Sequence, residues 1–182
     1  MTTRSLTLIA LLLALALCLH QVERLFPLAL IPYPGVKLGL GNLVTLVSLF
    51  VLSRSQALLF VFLRSLLTAV LGSFSGFLFS LTGAMLAFAL MCSLSYAWPA
   101  QFSLPGLSIA GAVAHNFGQL LVAAFLTGGF AIVLYLPVLL FSAVISGLVI
   151  GIIAAQLLKA LHKSQKVVLN PRLLPLIEHI KP

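Results

Sequence analysis

The sequence predicts an all-α integral membrane protein, a bundle of about six transmembrane helices, and three observations carry that prediction. The 182 residues are 62% hydrophobic and only 7% charged, with a mean hydropathy of +1.26. Soluble domains average about 25% charged residues, so this composition excludes an ordinary soluble fold. The apolar residues also fall into successive runs close to bilayer-crossing length, roughly 20 residues, with short punctuated connections. Finally, the net charge of +8 is lopsided. Arg4, Arg54, Lys159, Lys163, Lys166, Arg172 and Lys181 fall on one side of a six-span layout, and Arg24 and Lys37 on the other. That is the positive-inside pattern, which puts both termini in the cytoplasm and argues against a nucleic-acid partner.

The first span runs from about Ser5 to Gln21. Arg4 followed by LTLIALLLALALCL has the look of a secretory signal, but further spans follow and no small-residue cleavage site leads into a soluble chain, so it reads as a retained helix. Pro27, Pro32 and Pro34 exclude a regular helix from the loop that follows. The second span, about Leu38 to Leu52, is short for a full crossing, and Arg54 marks its cytoplasmic end. The third covers about Gln56 to Leu71, and GSFSG at 72–76 makes a tight outer turn into the fourth, about Phe77 to Cys92.

Residues 93–105, SLSYAWPAQFSLP, hold the single Trp, a Tyr and two prolines, a mixture suited to an interfacial connection. The fifth span covers about Gly106 to Leu126, with TGG at 127–129 as the turn, and the sixth takes much of Phe130 to Leu161. The transmembrane domain thus extends over 1–162. A basic tail at 163–182, broken by Pro171 and Pro175, is predicted to lie along the cytoplasmic membrane surface. Cys18 and Cys92 have no ligand-type spacing, so they read as packing residues and no metal is expected. Small residues four apart, Ala10/Ala14, Gly83/Ala87 and Gly147/Gly151, let helix backbones approach closely.

Arg64 is the most informative residue. It lies about ten residues into the third span, roughly 15 Å deep at 1.5 Å per residue, which is the bilayer midplane. An Arg there costs at least about 2.5 kcal/mol and should face the bundle interior. The chain has no Asp and only two Glu, Glu23 and Glu178. Arg64 is therefore satisfied by Glu23, by carbonyls, or by an anionic group on a ligand. In GAVAHNFGQL at 111–120, His115 and Gln119 share a helix face with Asn116 beside them, near the depth of Arg64. In PGVKLGLGN at 34–42, three glycines permit close backbone approach, Lys37 adds charge at the outer mouth, and Asn42 opens the membrane part. Together these define an outward-facing polar cavity for a small molecule with an anionic or strongly hydrogen-bonding head and an apolar body.

Several chemistries are excluded. There is no GxxxxGK[ST] for ATP hydrolysis, no carboxylate cluster for magnesium-dependent pyrophosphate chemistry, and no Asp for a Ser/His/Asp triad. The chain therefore reads as a non-enzyme with no cofactor.

PGVKLGLGN, RSLLTAVLGSFSGFLFSLTGAMLAF at 64–88 and GAVAHNFGQL, in that order, resemble the bacterial Gx transporter family, often labelled heptaprenyl diphosphate synthase component I. The resemblance covers roughly residues 5 to 160. The chain is also similar to the substrate-binding S components of energy-coupling factor transporters, small six-helix proteins. Their first helix carries an AxxxA face for the transmembrane coupling subunit, matched here by Ala10 and Ala14. These resemblances imply a bacterial plasma-membrane subunit that captures a substrate and is energised by separate ATPases. The ligand site then falls on Lys37, Asn42, Arg64, His115, Asn116 and Gln119. The synthase label implies an alternative, a non-catalytic accessory subunit of prenyl diphosphate or quinone-linked redox machinery.

Overall fold

A computed structural model describes residues 1–25, 39–70, 74–97, 101–164 and 167–178, and every regular element in them is helical. In chain order they are α1 (Thr3–Leu25), α2 (Leu40–Val51), α3 (Arg54–Val70), α4 (Phe74–Ala97) and α5 (Leu104–Thr127), followed by a 3-10 segment (Phe130–Tyr135), α6 (Leu136–Ser164), a 3-10 turn (Pro171–Leu173) and the short α7 (Pro175–Glu178). Among the described residues four stretches are long and apolar enough to cross a membrane: Thr3–Glu23, Phe74–Ala97, Leu104–Thr127 and Ile132–Ser164. The sequence predicts about six. The shortfall lies in α2 and α3, which have 12 and 17 residues and so reach only about 18 and 26 Å.

Helix boundaries differ from the predicted ones where turn residues were given too much weight. Helix α4 already begins at Phe74, inside GSFSG, and continues to Ala97, through the first residues of the predicted interfacial connection. Helix α5 starts where Ser103 caps it, its hydroxyl accepting from Gly106 N at 3.2 Å, with Pro105 in the first turn. Proline is tolerated there because the first-turn amide has no intrahelical acceptor. Gly128, at φ +63°, ends α5 in the left-handed conformation that glycine adopts without a Cβ penalty.

Helix α2 is the centre of the bundle: all eight residues from Leu43 to Phe50 are buried. A helix buried on every face needs apolar residues all round. Its two polar members comply by returning their hydroxyls to its own carbonyls, Thr45 Oγ1 to Gly41 O at 3.2 Å and Ser48 Oγ to Thr45 O at 2.7 Å. Helix α5 lies between α4 and α6 and packs most extensively against both. At each crossing a glycine leaves no room for a side chain. A Cβ on Gly118 would meet Gly83 Cα of α4 at 2.9 Å, and one on Gly147 would meet Ile109 Cα at 2.7 Å. A Cβ on Gly151 would overlap the Pro105 backbone. The spacing Gly147/Gly151 is thus used for backbone contact. Ala87 is likewise buried, whereas Ala10 and Ala14 lie on the exposed side of α1 and their neighbours Ile9 and Ala16 enter the core.

Of the segment predicted to lie on the membrane surface, the described residues 167–178 fold back into the bundle instead. Leu169, Leu173, Leu176 and Ile177 are buried in the main apolar cluster. Asn170 ties them down, donating its backbone N–H to Phe50 O at 2.8 Å and its Nδ2 to the Tyr96 hydroxyl at 2.6 Å. Arg54 Cζ sits 3.6 Å from the centroid of the same Tyr96 ring. Pro171 and Pro175 interrupt the helix pattern, which made the segment read as surface, but both serve to turn a short apolar chain inward. The ends of α2, α4 and α6 and the starts of α1 and α3 share this side, so Arg4, Arg54, Lys159, Lys163 and Arg172 gather at one end of the bundle.

Two substitutions test this packing through the thermal melt of detergent-purified protein. Gly151→Leu is expected to destabilise by about 1–3 kcal/mol through overpacking against Pro105. Leu173→Ala is expected to destabilise by about 2–5 kcal/mol by opening a cavity under α2. Leu148→Ala, on the exposed face of α6, should leave the melt nearly unchanged.

Candidate functional site

At the end opposite the basic residues the helices enclose a cavity of about 790 Å³, within the usual range for small-molecule sites. It lies beyond the N-terminus of the short α2, which stops well before the far side of a roughly 30 Å hydrocarbon layer. Each long helix contributes one wall: the last turns of α1, the outer halves of α3 and α5, and the first turns of α4 and α6.

Five of the six predicted ligand residues, Asn42, Arg64, His115, Asn116 and Gln119, line this single space. The sixth, Lys37, lies outside the described residues. His115 is held against α4, since a Cβ on Gly83 would meet its ring atoms Cε1 and Nδ1 at 2.9 Å. Asn116 has a structural share as well: its Nδ2 donates to Leu139 O at 2.9 Å, tying α5 to α6. Gln119 lies one turn beyond His115 on the same wall.

Arg64 is 8% exposed. Its guanidinium rests on the first turn of α2, where a Cβ on Gly41 would collide with Nη1. Nε is buried and has no hydrogen-bond partner among the described residues. Glu23, on the last turn of α1, faces the same cavity and is the carboxylate whose field reaches Arg64. No ion pair joins them. Glu23 Oε1 instead accepts from the Gly39 amide at 2.6 Å. Gly39, at φ +76°, takes the left-handed conformation that turns the chain into α2.

Sequence reasoning missed several lining residues: His20, Thr68, Ser80 and Tyr135. His20 could have been found, because it precedes Glu23 by one helical turn and so shares its face. Ser80 and Tyr135 gave no signal, as an isolated hydroxyl in an apolar run is common. The apolar part of the lining comes from Leu17, Phe79, Leu120, Ile132 and Leu139. Among the described residues no three of His, Cys, Asp and Glu form a metal-holding group.

The arrangement defines a class: an all-helical chain with several helices able to cross a membrane, enclosing a polar-headed, apolar-bodied cavity at one end. Within that class the chain belongs to the heptaprenyl diphosphate synthase component I family, whose model matches residues 12–157. The matched stretch contains the three motifs and every residue that lines the cavity. No curated protein and no solved structure matches the chain.

If the cavity is reached from water, Gln119→Cys and Asn42→Cys should react with a membrane-impermeant maleimide in reconstituted protein whose Cys18 and Cys92 are replaced by Ser. Leu148→Cys, on the exposed apolar face of α6, should stay unlabelled. Equal labelling of all three would rule out a cavity walled off from lipid.

Proposed function

We propose that the chain is the substrate-binding subunit of a membrane uptake system for a small molecule, working with separate energising partners. The observation that carries this reading is the convergence of Asn42, Arg64, His115, Asn116 and Gln119 on one cavity of ligand size. Residues scattered along the sequence and serving only helix contacts would have no reason to face a common space. On this reading α1 to α6 form an S-component-like six-helix bundle in the bacterial plasma membrane, in which the short α2 and α3 complete the count. The basic end faces the cytoplasm with both termini, so the cavity opens outward.

Catalysis has no part in this reading. Capture and release of a ligand require only the cavity and a change in its access, and energy would come from a transmembrane coupling subunit and paired ATPases. Helix α1 supports such a partner, because its Ala10 and Ala14 are exposed while its opposite face packs on α2 and α3. Small residues on an exposed helix face let another helix come close.

A second reading has a specific observation behind it, the family description. A component I implies a second component, and the chain would then be a non-catalytic membrane accessory of prenyl diphosphate synthesis or of a quinone-linked redox assembly. Lipid and a partner protein, rather than a transported solute, would fill its surfaces.

Affinity purification from native membranes in mild detergent, with mass spectrometry of what copurifies, separates the two. Recovery of a transmembrane coupling subunit with ATPases supports uptake, and recovery of a prenyl diphosphate synthase or redox flavoprotein replaces it with the accessory reading. On the uptake reading, Arg64→Ala should abolish substrate binding while the protein still inserts and elutes as a monodisperse species. Undiminished binding by that variant would remove Arg64 from the site.

A further inference from the structure

Two positive features meet at the start of α2. Its first-turn N–H groups carry the positive end of the helix dipole, roughly half a charge; that of Asn42 donates to Gly39 O at 2.7 Å, and the amides before it have no carbonyl of the helix to donate to. The turn has no acidic residue of its own. Against it lies Arg64, more than nine-tenths buried, with Nη1 on Gly41 and Nε without a hydrogen bond among the described residues. A guanidinium beside a helix N-terminus is repulsive unless an anion stands between them. The one carboxylate lining the cavity comes from another helix: Glu23 of α1, whose Oε1 takes the Gly39 amide and forms no ion pair with Arg64.

We infer that Glu23 occupies the seat of the ligand's own oxyanion, so that the cavity takes a small amphipathic organic acid whose acid group replaces Glu23 at Gly39 and is clamped by Arg64. Helix N-termini bind carboxylates and phosphates through these amides, and Arg supplies the planar fork that matches either group. The remaining lining fits the rest of such a molecule. Leu17, Phe79, Leu120 and Ile132 face its apolar body, and Gln119 and His115 offer hydrogen bonds along it. Glu23 is then a built-in competitor. Displacing it frees the last turn of α1, whose main contacts among the described residues are with α2 and α3, so ligand capture is coupled to the position of α1. This inference rests on the reading of the cavity as a substrate site and goes beyond it in naming the ligand class and the role of Glu23.

The test uses the full chain in nanodiscs and a panel of short aliphatic and aryl carboxylic acids paired with their primary amides, with ligand-induced thermal shift and calorimetry as readouts and empty nanodiscs as blanks. The acids should bind and the amides should not. Glu23→Gln should bind the acids about tenfold more tightly, a change of about 1.4 kcal/mol. Arg64→Gln should lose acid binding and Arg64→Lys should recover part of it, which separates loss of charge from loss of fold. Amides binding as well as acids would overturn the oxyanion seat while leaving the cavity as a substrate site. Weaker acid binding by Glu23→Gln would overturn the competitor role. Binding of neither member of any pair, by wild type or Glu23→Gln, would overturn this inference and leave the uptake reading to the copurification test.

Discussion

The structure depends on the backbone contact of α5 with its two neighbours. Inside a bilayer, apolar side chains gain nothing by leaving lipid for one another, so helices associate through close packing and through polar groups that need partners. Helix α5 meets α4 at Gly118 and Gly83, and α6 at Gly147 and Gly151, with no side chain between the backbones. This three-helix slab fixes the wall that carries His115, Asn116 and Gln119. The polar groups reinforce it, since Asn116 crosses to the Leu139 carbonyl of α6. The same residue thereby holds the wall and lines the cavity.

The slab explains why the cavity can exist. Helix α2 fills the centre of the bundle with apolar side chains on every face but stops after 12 residues. Above its N-terminus the surrounding longer helices continue, and the space they enclose is the cavity. Arg64 stands on this floor and lines that cavity. The placement sets two requirements against each other. A buried guanidinium is costly, and the first-turn amides of α2 add to its field instead of relieving it. Glu23, reaching over from α1, offsets both incompletely from its position on Gly39.

Much of this was legible in the sequence, for physical reasons that differ by element. Arg64, His115 and Gln119 stand out because polar residues in apolar runs are expensive, and the expense is visible without coordinates. The helix spacing of Gly147 and Gly151 likewise announces close approach. The ends of α4 were misjudged because Phe74 and Ser75 belong to a turn-like string but have enough helical neighbours to be drawn in. The segment at 167–178 was misread because prolines and basic residues suggested surface, whereas burial of Leu173 and Leu176 depends on their packing into the main apolar cluster, a tertiary fact. The bond from Gly39 to Glu23 could not be read at all. It joins the end of α1 to the start of α2, 16 residues apart in sequence, and only the folded bundle brings them together.

The hydrogen bond from Asn170 to the Phe50 carbonyl has a consequence for assembly. A helix end buried in the bundle needs donors for its last carbonyls, and Phe50 O of α2 receives one from a segment that follows α6. The central helix therefore cannot complete its own termination while the chain is still entering the membrane. Until residues 167–178 are made and docked, the partly inserted bundle must leave that carbonyl to water or to the insertion machinery. Maturation is then an ordered closure rather than a simple sequence of helix insertions. Shortening the chain before Asn170 would be felt at the core of the bundle, far from the cut.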